Sequence, residues 1–508
     1  MRELLRGVLK DRFNQVLLLA GIAAHLLLAF AFHLSPDETH YALYAVNIDW
    51  SYFDHPPLVG WVQWPFAKLG GFDVLMRVVP MLCWALSTWW MAALAALLYP
   101  DQQGISRAAV LLWLLAPMPH LLGLALVPDS LLMPIVCAVM YFCWRLCNAG
   151  QLHRLGLWLG LGLSLGLAGL TKYTAVFVGV GAVLALVLAH GPRLLALRGP
   201  WLGVFVAAVL ISPVIGWNAT HGWISLAYQA GHAGGSQEWL PGRVAVYVAV
   251  QLLGYGLLLV AGAMASRRTS WAVESNLAPW LFCLCFGLPP LLILVYLSGR
   301  GSTLPHWSVS AWLAWVPAAA AGCLALWHRR PHWVKGLVLF QALCCLVLAM
   351  LMLSAGTSGE SGEQAKSLPG QVPANAQFNP FADLYGWDAA ARRARELAAQ
   401  NSSPTLAVMN WTLDSRIAWY AHAPTKVVQR HLDQFGLWWG VLQPGESALV
   451  VDWSQMSFAP PVGPTEFEGC DLLEQFPVMR WGRQIAHFNM QLCRNWQGPK
   501  ESALERRN

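Results

Sequence analysis

Long uncharged apolar runs recur along this chain from residue 16 to residue 354 and then stop. A helix needs roughly 17 to 25 successive apolar residues to cross the hydrocarbon core of a bilayer. The sequence therefore predicts an α-helical polytopic membrane protein with about eleven transmembrane helices. The predicted spans lie near residues 16–34, 75–99, 107–127, 129–148, 155–171, 173–190, 200–217, 243–265, 277–298, 307–327 and 333–355.

The composition excludes several other classes of protein. Of the 508 residues, 57% are hydrophobic and 11% are charged, whereas about a quarter are charged in a soluble domain. The net charge of +6 is a mild excess. The apolar content is too high for a disordered chain or a nucleic-acid-binding protein. A soluble enzyme is excluded for the same reason.

The distribution of cations predicts the orientation in the membrane, because short cytoplasmic loops accumulate Lys and Arg. Cations precede the first span and return at every second connection. An odd number of spans then places the tail after residue 355 outside. No small-residue cleavage site follows the first apolar run, which is expected to stay as an anchor. We expect a multi-pass protein of the bacterial inner membrane, with a cytoplasmic N-terminus and a periplasmic active site and C-terminal domain.

The eleven cysteines agree with this topology. Nine lie in apolar spans, where a thiol usually acts as a small hydrophobic group. Cys470 and Cys493 fall in the tail, and an isolated pair in an oxidising compartment suggests a disulfide. The alternative is two unpaired buried thiols. The sequence contains no CxxC or HExxH spacing that would support a zinc site.

The first outer loop, residues 35–73, concentrates ionisable groups. A serine followed by acids is typical of a helix N-terminus. The aromatic stretch LVGWVQWPFAKL predicts a second helix in the membrane interface. Acids on an outer loop are often merely solvated, but six ionisable groups at a membrane boundary favour a functional site. They are Asp37, Glu38, His40, Asp49, Asp54 and His55.

Two further charges lie in outer turns that are too tight to hold them away from the bilayer. Asp129, in VPDS, has almost no loop around it, and an unpaired carboxylate at the bilayer edge is costly. Lys172, in GLTKYT, either extends to a lipid headgroup or contacts a phosphate. A longer outer loop, residues 217–243, adds His221 and Arg243.

In order along the chain, the motifs DETHY, DWSYFDHPPLVGW, PDSLL, GLTKYTA and WNATHGW resemble a known family. It is the bacterial PMT-type membrane glycosyltransferases, related to the dolichyl-phosphate-mannose-protein mannosyltransferases. The group includes the aminoarabinose transferases that modify lipid A. PHWSVSAW at 305–312 resembles a later segment of the same group. The resemblance covers roughly residues 35–310 and implies the C-type glycosyltransferase fold.

The resemblance implies transfer of a sugar from a polyprenyl (undecaprenyl) phosphate donor to an acceptor on the outer face of the inner membrane. In that family the acid of the first loop is catalytic, and the matching position is Asp37, which Glu38 follows. Asp54 matches an acid that often precedes a Lys in relatives. His55 departs from the pattern, because a Lys is cationic at pH 7 and a His only partly so. The resemblance also implies inversion at the anomeric carbon.

The chemistry of such a donor also requires cations and carboxylates. Negative charge grows on the departing lipid phosphate, where preorganised cations stabilise it. An acceptor hydroxyl needs a general base, for which Asp37 is the first candidate, while Asp129 orients the acceptor or the base. No cofactor and no divalent metal is required, although the paired acids leave a metal site open. The candidates for substrate binding are Lys172, Arg243, Arg300, His55, His221, His306, His40, Tyr41, Tyr52 and Asp54.

The tail begins with residues 356–380, which are rich in Gly, Ser, Pro and Gln and predict a linker. Residues 381–508 predict a small α/β domain, with a helix in DAAARRARELAAQ and strands in TLAVMN, SALVVDW and AHFNMQLC. Several of its residues either meet the acceptor or stabilise the domain. They are Trp438, Trp439, Asp414, Arg416 and His431.

Other functions stay open at this point. The acceptor is expected to be lipid A or another glycolipid, with a protein Ser/Thr or a growing polysaccharide as alternatives. A protein O-glycosyltransferase of the same fold would show the same motifs. A non-catalytic polyprenyl-lipid transporter or binding protein would also be polytopic. The charges, however, concentrate on one outer face, and no inverted pair of interrupted spans is evident.

Overall fold

The structure of the chain is a computed structural model that describes residues 7–498. Its gaps are residues 9, 235–237, 269–275, 302, 355–378, 404 and 429–432. The chain divides into two compact units, one formed by residues 1–30 and 48–347 and the other by residues 31–47 and 348–508. The second unit therefore includes part of the first outer loop, which the sequence assigned to a membrane domain of residues 1–355. Apart from residues 379 and 380, the predicted linker lies outside the described residues.

Apolar α-helices build the first unit, with short 3₁₀ segments between some of them. The helices up to residue 354 are α1 (Arg12–Ala31), α2 (Pro36–Val46), α3 (Leu58–Lys68), α4 (Asp73–Met76), α5 (Val78–Leu98), α6 (Ile105–Leu114), α7 (Pro117–Leu124), α8 (Pro128–Leu146), α9 (Leu155–Thr171), α10 (Val176–His190), α11 (Arg198–Thr220), α12 (Ile224–Gly234), α13 (Pro241–Tyr255), α14 (Leu257–Ala265), α15 (Pro279–Ser298), α16 (Val309–Arg329) and α17 (Pro331–Ser354). The 3₁₀ segments include Tyr173–Ala175 before α10 and Pro305–Ser308 before α16.

In the part of the chain that the structure describes, eight helical segments are long and apolar enough to cross a membrane, and two bent pairs raise the number to ten. The sequence predicted eleven. The difference is α9, whose 17 residues extend only about 26 Å at 1.5 Å per residue. The other ten segments fall at the predicted positions. The mostly helical, multi-pass organisation is therefore confirmed.

The span predicted at 107–127 is broken between α6 and α7, which meet at 72°. Pro117 begins α7 and lacks the N–H that would continue the first helix. Side chains satisfy the freed carbonyl groups. His120 Nε2 donates to the Leu114 carbonyl oxygen at 2.7 Å, and Gln341 Nε2 donates to the Leu115 carbonyl oxygen at 3.3 Å.

The span predicted at 243–265 is broken at Gly256, where α13 and α14 meet at 88°. Gly256 has φ +98°, and a Cβ at this position would lie 2.0 Å from the Gln341 side chain. Gln341 Oε1 accepts a hydrogen bond from the Leu258 N–H at 3.0 Å. One buried amide on α17 therefore satisfies backbone groups at both breaks, as the absence of water from a bilayer core requires.

A five-stranded sheet with helices forms most of the second unit. Its elements after residue 380 are α18 (Trp387–Gln400), β1 (Leu406–Val408), α19 (Trp411–Ala421), β2 (Thr425–Val427), α20 (Gln434–Trp439), β3 (Ala448–Trp453), β4 (Phe467–Arg480) and β5 (Arg483–Trp496). The strand order is β2-β1-β3-β5-β4. β1 is parallel to β2 and β3, whereas β5 is antiparallel to β3 and β4. The small α/β domain is confirmed, with β1, β3 and β5 in the three predicted strand segments.

The core of this unit lies where α18 covers the sheet. β3 is buried along its whole length, and the Trp387 ring packs 5.2 Å from Trp453 and 4.8 Å from Phe488 between ring centres. At one edge a disulfide joins Cys470 of β4 to Cys493 of β5, which face each other directly in the strand register. The bond therefore connects two neighbouring strands that pair over their whole length.

Candidate functional site

The first unit contains a buried ion pair between Lys172 and Asp129. Lys172 Nζ lies 2.7 Å from Asp129 Oδ2, and the two side chains are 4% and 1% exposed. Asp129 is in the first turn of α8, and Lys172 directly follows the last residue of α9. An acid at a helix N-terminus and a base at a C-terminus both interact favourably with the helix dipoles. Two helix ends therefore fix both charges.

His306 joins this pair from the 3₁₀ segment before α16. Its Nε2 lies 3.6 Å from Asp129 Oδ2, and its side chain is 21% exposed. The neighbouring Trp307 presents its ring to the Lys172 ammonium, 5.2 Å from the ring centre, which is within the range of a cation–π interaction. The Asp129, Lys172 and His306 side chains, called the ion-pair cluster below, thus come from three separate parts of the chain.

A polar network holds the segment that carries His306. Gln251 of α13 donates through Nε2 to the Pro305 carbonyl oxygen at 2.9 Å. Its Oε1 accepts from Ser308 Oγ at 2.5 Å and from Trp312 Nε1 at 2.7 Å. One buried amide therefore holds the Pro305 backbone before His306 and the Ser308 and Trp312 side chains after it.

A groove of about 350 Å³ opens beside this segment, between α13 and the end of α15. Arg243 and Tyr247 line it together with Pro305, the residue before His306. The Arg243 guanidinium donates to the Glu238 carbonyl oxygen at 2.9 Å through Nη1. Arg300 belongs to the turn that follows α15. The groove therefore places one predicted cation, Arg243, on the same surface as the residue that precedes His306.

The part of the first outer loop in this unit is ordered around Asp49. Its Oδ2 accepts from Trp217 Nε1 at 2.9 Å, its carbonyl oxygen accepts from Trp61 Nε1 at 2.9 Å, and its N–H donates to the Tyr52 hydroxyl at 3.1 Å. Burial raises the pKa of the Tyr52 phenol, and the Asp49 charge raises it further. Tyr52 therefore holds the loop, and its ring is fully buried.

The YFDHPP turn contacts α12 through a backbone carbonyl group and through the Phe53 ring, which packs on Tyr228. The Asp54 carbonyl oxygen accepts from Gln229 Nε2 at 2.5 Å, and the His55 carbonyl oxygen accepts from the Tyr52 N–H at 3.1 Å. His221 stacks on Trp217, with ring centres 4.0 Å apart. The side chains of Asp54 and His55 are half-buried. The sequence treated these groups as independent candidates, whereas the structure builds them into one packed loop.

In the second unit, Asp37 and Glu38 occupy the first turn of α2. Ser35 caps this helix: its Oγ accepts from the Glu38 N–H at 3.3 Å, while Glu38 Oε2 accepts from the Ser35 N–H at 2.9 Å. This reciprocal capping box satisfies two otherwise unpaired N–H groups. Glu38 is 3% exposed, whereas Asp37 is half-buried. The two neighbouring acids therefore differ in exposure, since Glu38 is buried in the cap and Asp37 is half-buried.

His40 and Tyr41 point into the interior of the second unit. The His40 ring lies 5.5 Å from both Trp411 and Phe435 and 5.0 Å from Tyr44, between ring centres. Trp438 packs against Tyr44 at 5.8 Å. These aromatic contacts fasten α2 to α19 and α20. His40 and Tyr41, which the sequence predicted to bind substrate, are buried members of this packing.

Arg416 and Asp414 of α19 are also interior residues. The Arg416 guanidinium stacks 3.5 Å from the centre of the Trp387 ring and donates to Asp383 Oδ1 at 2.5 Å. Burial lowers the pKa of Arg416, while the negative charges of Asp383 and Asp37 act to raise it. Burial raises the pKa of the Asp414 carboxyl well above its usual range. A stabilising role fits both residues, and His431 lies outside the described residues.

The structure thus separates the predicted site residues into two groups. Asp129, Lys172 and His306 come together in the first unit, and Asp37, Glu38, His40 and Tyr41 lie in the second. Among the described residues, no group of three or more His, Cys, Asp or Glu side chains could hold a metal ion.

Sequence reasoning did not identify Trp307 or Gln251 as parts of the site. Trp307 lies within the quoted PHWSVSAW motif. Gln251 is an amide inside an apolar span, and a polar group at such a position is itself a signal of function or of a specific contact.

Comparisons with known proteins show what this chain is similar to. Residues 54–217 match the family model described as dolichyl-phosphate-mannose-protein mannosyltransferase. The lipid A galacturonosyltransferase RgtD of Rhizobium johnstonii is 25% identical over 314 residues, which cover 59% of this chain. The match spans 62% of the length of that relative. The resemblance to PMT-type membrane glycosyltransferases is therefore confirmed.

Two crystal structures of ArnT from Cupriavidus metallidurans have a similar fold. The apo structure superposes with a TM-score of 0.60, and the structure bound to undecaprenyl phosphate with 0.62. Each is 17% identical to this chain, and each match covers 94% of this chain and 97% of the other. The chain therefore has the C-type glycosyltransferase fold that the sequence predicted.

Proposed function

We propose that this multi-pass membrane protein is a glycosyltransferase that moves a sugar from undecaprenyl phosphate to lipid A or another envelope glycolipid. The observation that carries the proposal is the position of the buried Asp129–Lys172 pair. It lies inside the segment that matches the mannosyltransferase family model, on a fold shared with an ArnT structure that holds undecaprenyl phosphate. The galacturonosyltransferase relative supports lipid A as the acceptor.

The ion-pair cluster suits the departing phosphate. During transfer the bond between the anomeric carbon and the phosphate oxygen breaks, and its electron pair leaves with the lipid phosphate. The Lys172 ammonium has three N–H donors, and its bond to Asp129 uses one. The partly exposed His306 adds a second nitrogen. Asp129 holds the ammonium in place, so that the cation stabilises the growing negative charge without reorganisation.

The acceptor oxygen forms the new bond to the anomeric carbon. If the acceptor is a hydroxyl group, its proton goes to a general base, and Asp37 takes this role because it is the accessible acid of the first helical turn. If the acceptor is a phosphate, it is already ionised and needs positioning rather than deprotonation. A single displacement of this kind inverts the anomeric configuration. The enzyme acts at the periplasmic face of the inner membrane, as the distribution of cations along the sequence indicates.

The test uses purified wild-type protein and the Asp37→Asn and Lys172→Met variants. Each is incubated with lipid A and undecaprenyl phosphate that carries either aminoarabinose or galacturonic acid, and both lipids are followed by mass spectrometry. Wild type is expected to add one sugar mass to lipid A and release undecaprenyl phosphate. Both variants are expected to lose this transfer. Asp101→Asn, which changes an exposed acid between α5 and α6, is the matched control and should keep it.

The other outcomes identify the alternatives. Transfer of the sugar to a Ser or Thr of an added protein, but not to lipid A, would make the chain a protein O-glycosyltransferase. If no donor is consumed with any sugar or acceptor, while wild type and Asp37→Asn bind undecaprenyl phosphate equally well, the transferase proposal is wrong. A lipid-binding or transport function would then be the better account.

A further inference from the structure

The tip of the β4–β5 hairpin, residues 479–483, is an exposed apolar and basic patch that plays no part in the proposed transfer reaction. Trp481 is 76% exposed and Met479 is 56% exposed. Arg480 and Arg483 flank the turn as a pair in the strand register. Large apolar side chains at this exposure, next to two cations, are typical of a surface that meets a partner.

Trp481 is an unusual residue for the backbone conformation of this turn. Trp481 and Gly482 form a two-residue turn with φ of 50° and 74°. Such turns favour Asn-Gly or Asp-Gly, because both central residues have positive φ. A bulky residue at positive φ is uncommon. Local folding therefore does not explain Trp481, and neither does burial, since the side chain is exposed.

The contacts of the tip place it beside the end of a membrane-spanning helix. Arg480 Nη2 donates to the Leu353 carbonyl oxygen at 3.4 Å, and the Arg480 guanidinium lies 4.5 Å from the centre of the Tyr385 ring. The Tyr385 hydroxyl donates to the Met352 carbonyl oxygen at 2.8 Å. Residues 352 and 353 belong to the last turn of α17, which ends at Ser354.

α17 defines the level of the membrane at this point. It has 24 residues, and nearly all of its apolar length lies outside the protein interior. At 1.5 Å per residue it extends about 36 Å, enough to cross the hydrocarbon core. Phe32, directly after α1, also packs against Tyr385, with ring centres 6.0 Å apart. The membrane helices α1 and α17 therefore both end beside Tyr385, the residue that contacts the tip.

We propose that the hairpin tip is a membrane anchor whose partner is the lipid interface around α1 and α17. Trp481 and Met479 lie at the boundary of headgroups and acyl chains, where Trp is favoured because its ring is apolar and its N–H is polar. Arg480 and Arg483 lie at the level of the lipid phosphates, and anionic lipids attract them. This assignment rests on the tip and on the ends of α1 and α17, and it is independent of the transfer reaction.

The experiment measures the surroundings of single side chains in the full-length protein. Met479, Trp481 or Leu472 is replaced by p-acetylphenylalanine, and its ketone is condensed with a hydroxylamine-bearing nitroxide to form an oxime. The labelled protein is placed in nanodiscs of phosphatidylethanolamine and phosphatidylglycerol. Leu472 is the matched control: it is 41% exposed on the same strand and roughly 25 Å from the tip at 3.3 Å per residue. Power-saturation spectra then compare the accessibility of each label to oxygen and to a water-soluble nickel chelate.

Labels at 479 and 481 are expected to have an oxygen-to-nickel accessibility ratio several-fold above that of the label at 472. Equal nickel accessibility at all three positions would place the tip in water and overturn the proposal. Low accessibility to both reagents at 479 and 481 would show a protein partner instead. A lipid-like ratio at 472 as well would mean that the whole strand lies on the membrane, so that the tip is not the anchor.

A further variant separates membrane contact from folding. Trp481→Asn places in the turn a residue that suits positive φ, so the hairpin is expected to form at least as readily as in wild type. With this change, the oxygen-to-nickel ratio of the label at 479 is expected to fall toward the value at 472. An unchanged ratio would show that Trp481 does not hold the tip in the interface.

Discussion

Two helices of this protein begin with the same dipeptide and use it differently. α2 in the second unit starts with Pro36-Asp37, and α8 in the first unit starts with Pro128-Asp129. In both, proline occupies the first helical position, where its missing N–H costs nothing, and the acid interacts with the positive end of the helix dipole. Asp129 is 1% exposed and paired with Lys172, whereas Asp37 is half-buried.

The difference between the two helix starts shows what the local sequence leaves undecided. A Pro-Asp start fixes where a helix begins and which way its acid points along the axis. The elements packed around the helix then determine how deeply the acid is buried. We assign the fully buried Asp129 to positioning Lys172 and the less buried Asp37 to the acceptor, and the variants below test this contrast.

The largest effect is expected from breaking the buried pair. Lys172→Met leaves the Asp129 carboxylate without its cation, and an uncompensated buried charge costs about 3–5 kcal/mol. We expect poor recovery of folded protein, a lower thermal midpoint in detergent and no transfer activity. Size-exclusion chromatography after heating measures the first two quantities, and the lipid A assay measures the third.

The double variant Lys172→Met/Asp129→Leu separates stability from chemistry. An apolar pair of similar volume often replaces a buried ion pair without loss of stability, so the thermal midpoint should recover while activity stays absent. Recovery of activity in the double variant would show that the pair is only structural. The exposed pair Arg107–Asp11 is the control, since surface pairs contribute about 0–1 kcal/mol.

The next effect concerns Asp37 and should appear in the rate alone. Loss of a general base lowers the rate by about 10²–10⁴-fold. Asp37→Asn keeps the size of the side chain, so kcat should fall by that factor. The thermal midpoint should change little, because the Asp37 charge is the weakest of the charges that act on the buried Arg416. The pH–rate profile should also lose the limb that reports ionisation of this carboxyl. A variant that unfolds at lower temperature, with kcat reduced in proportion to the loss of folded protein, would contradict the assignment.

Much of the first unit is predictable from sequence, because bilayer thickness imposes a length on every apolar run. The break at Pro117 is also predictable, since proline cannot continue a helix. The break at Gly256 is not, because it depends on Gln341, which lies 85 positions further along the chain and fills the space of a Cβ. α9 was predicted as a span from composition, although its 17 residues are short for the core.

The residue types of the site were predictable from the sequence, but which of these residues lie together was less so. The tight outer turns around Asp129 and Lys172 indicated charges at a membrane edge, but their mutual contact spans 43 positions in sequence. The place of α2 in the second unit depends on His40 packing against Trp411 and Phe435. Contacts over such distances leave no periodic signal, which is why His40 appeared as a site candidate rather than as a core residue. The cap made by Glu38, in contrast, follows from the local Ser-x-x-Glu pattern.

Asp452 on β3 is a third acid for this comparison, because it is buried beside neutral hydrogen-bond donors, whereas Asp129 is buried beside a cation. It is 3% exposed, and it accepts from two neutral groups, Ser457 Oγ at 2.9 Å and the Phe458 N–H at 3.1 Å. Burial raises the pKa of its carboxyl to about 6. The folded state therefore binds this proton more tightly than the unfolded chain. The resulting stability is fully present below about pH 4 and is lost as the pH rises to about 6.

Asp452→Asn should remove this dependence on pH. We expect the variant to gain up to about 3 kcal/mol over wild type at pH 7.5, because one pKa unit corresponds to about 1.4 kcal/mol. At pH 4.5 the two proteins should differ much less. Thermal midpoints at both pH values provide the measurement. A constant difference between the two curves would rule out titration of Asp452, and Asp471→Asn, an exposed acid on β4, is the control.

The smallest effect is expected from removing the cap of α2. This change tests whether the rate depends on the cap or on the Asp37 carboxyl. Ser35→Ala removes the oxygen that accepts from the Glu38 N–H and should cost about 1 kcal/mol of stability. The Asp37 carboxyl stays on the same turn, so kcat should change little. The two neighbouring variants are then opposite: Ser35→Ala lowers the thermal midpoint with little loss of rate, and Asp37→Asn lowers the rate with little loss of stability. A fall in kcat for Ser35→Ala as large as for Asp37→Asn would mean that the cap positions the Asp37 carboxyl. The position of Asp37 would then depend on the helix cap as closely as the position of Asp129 depends on Lys172.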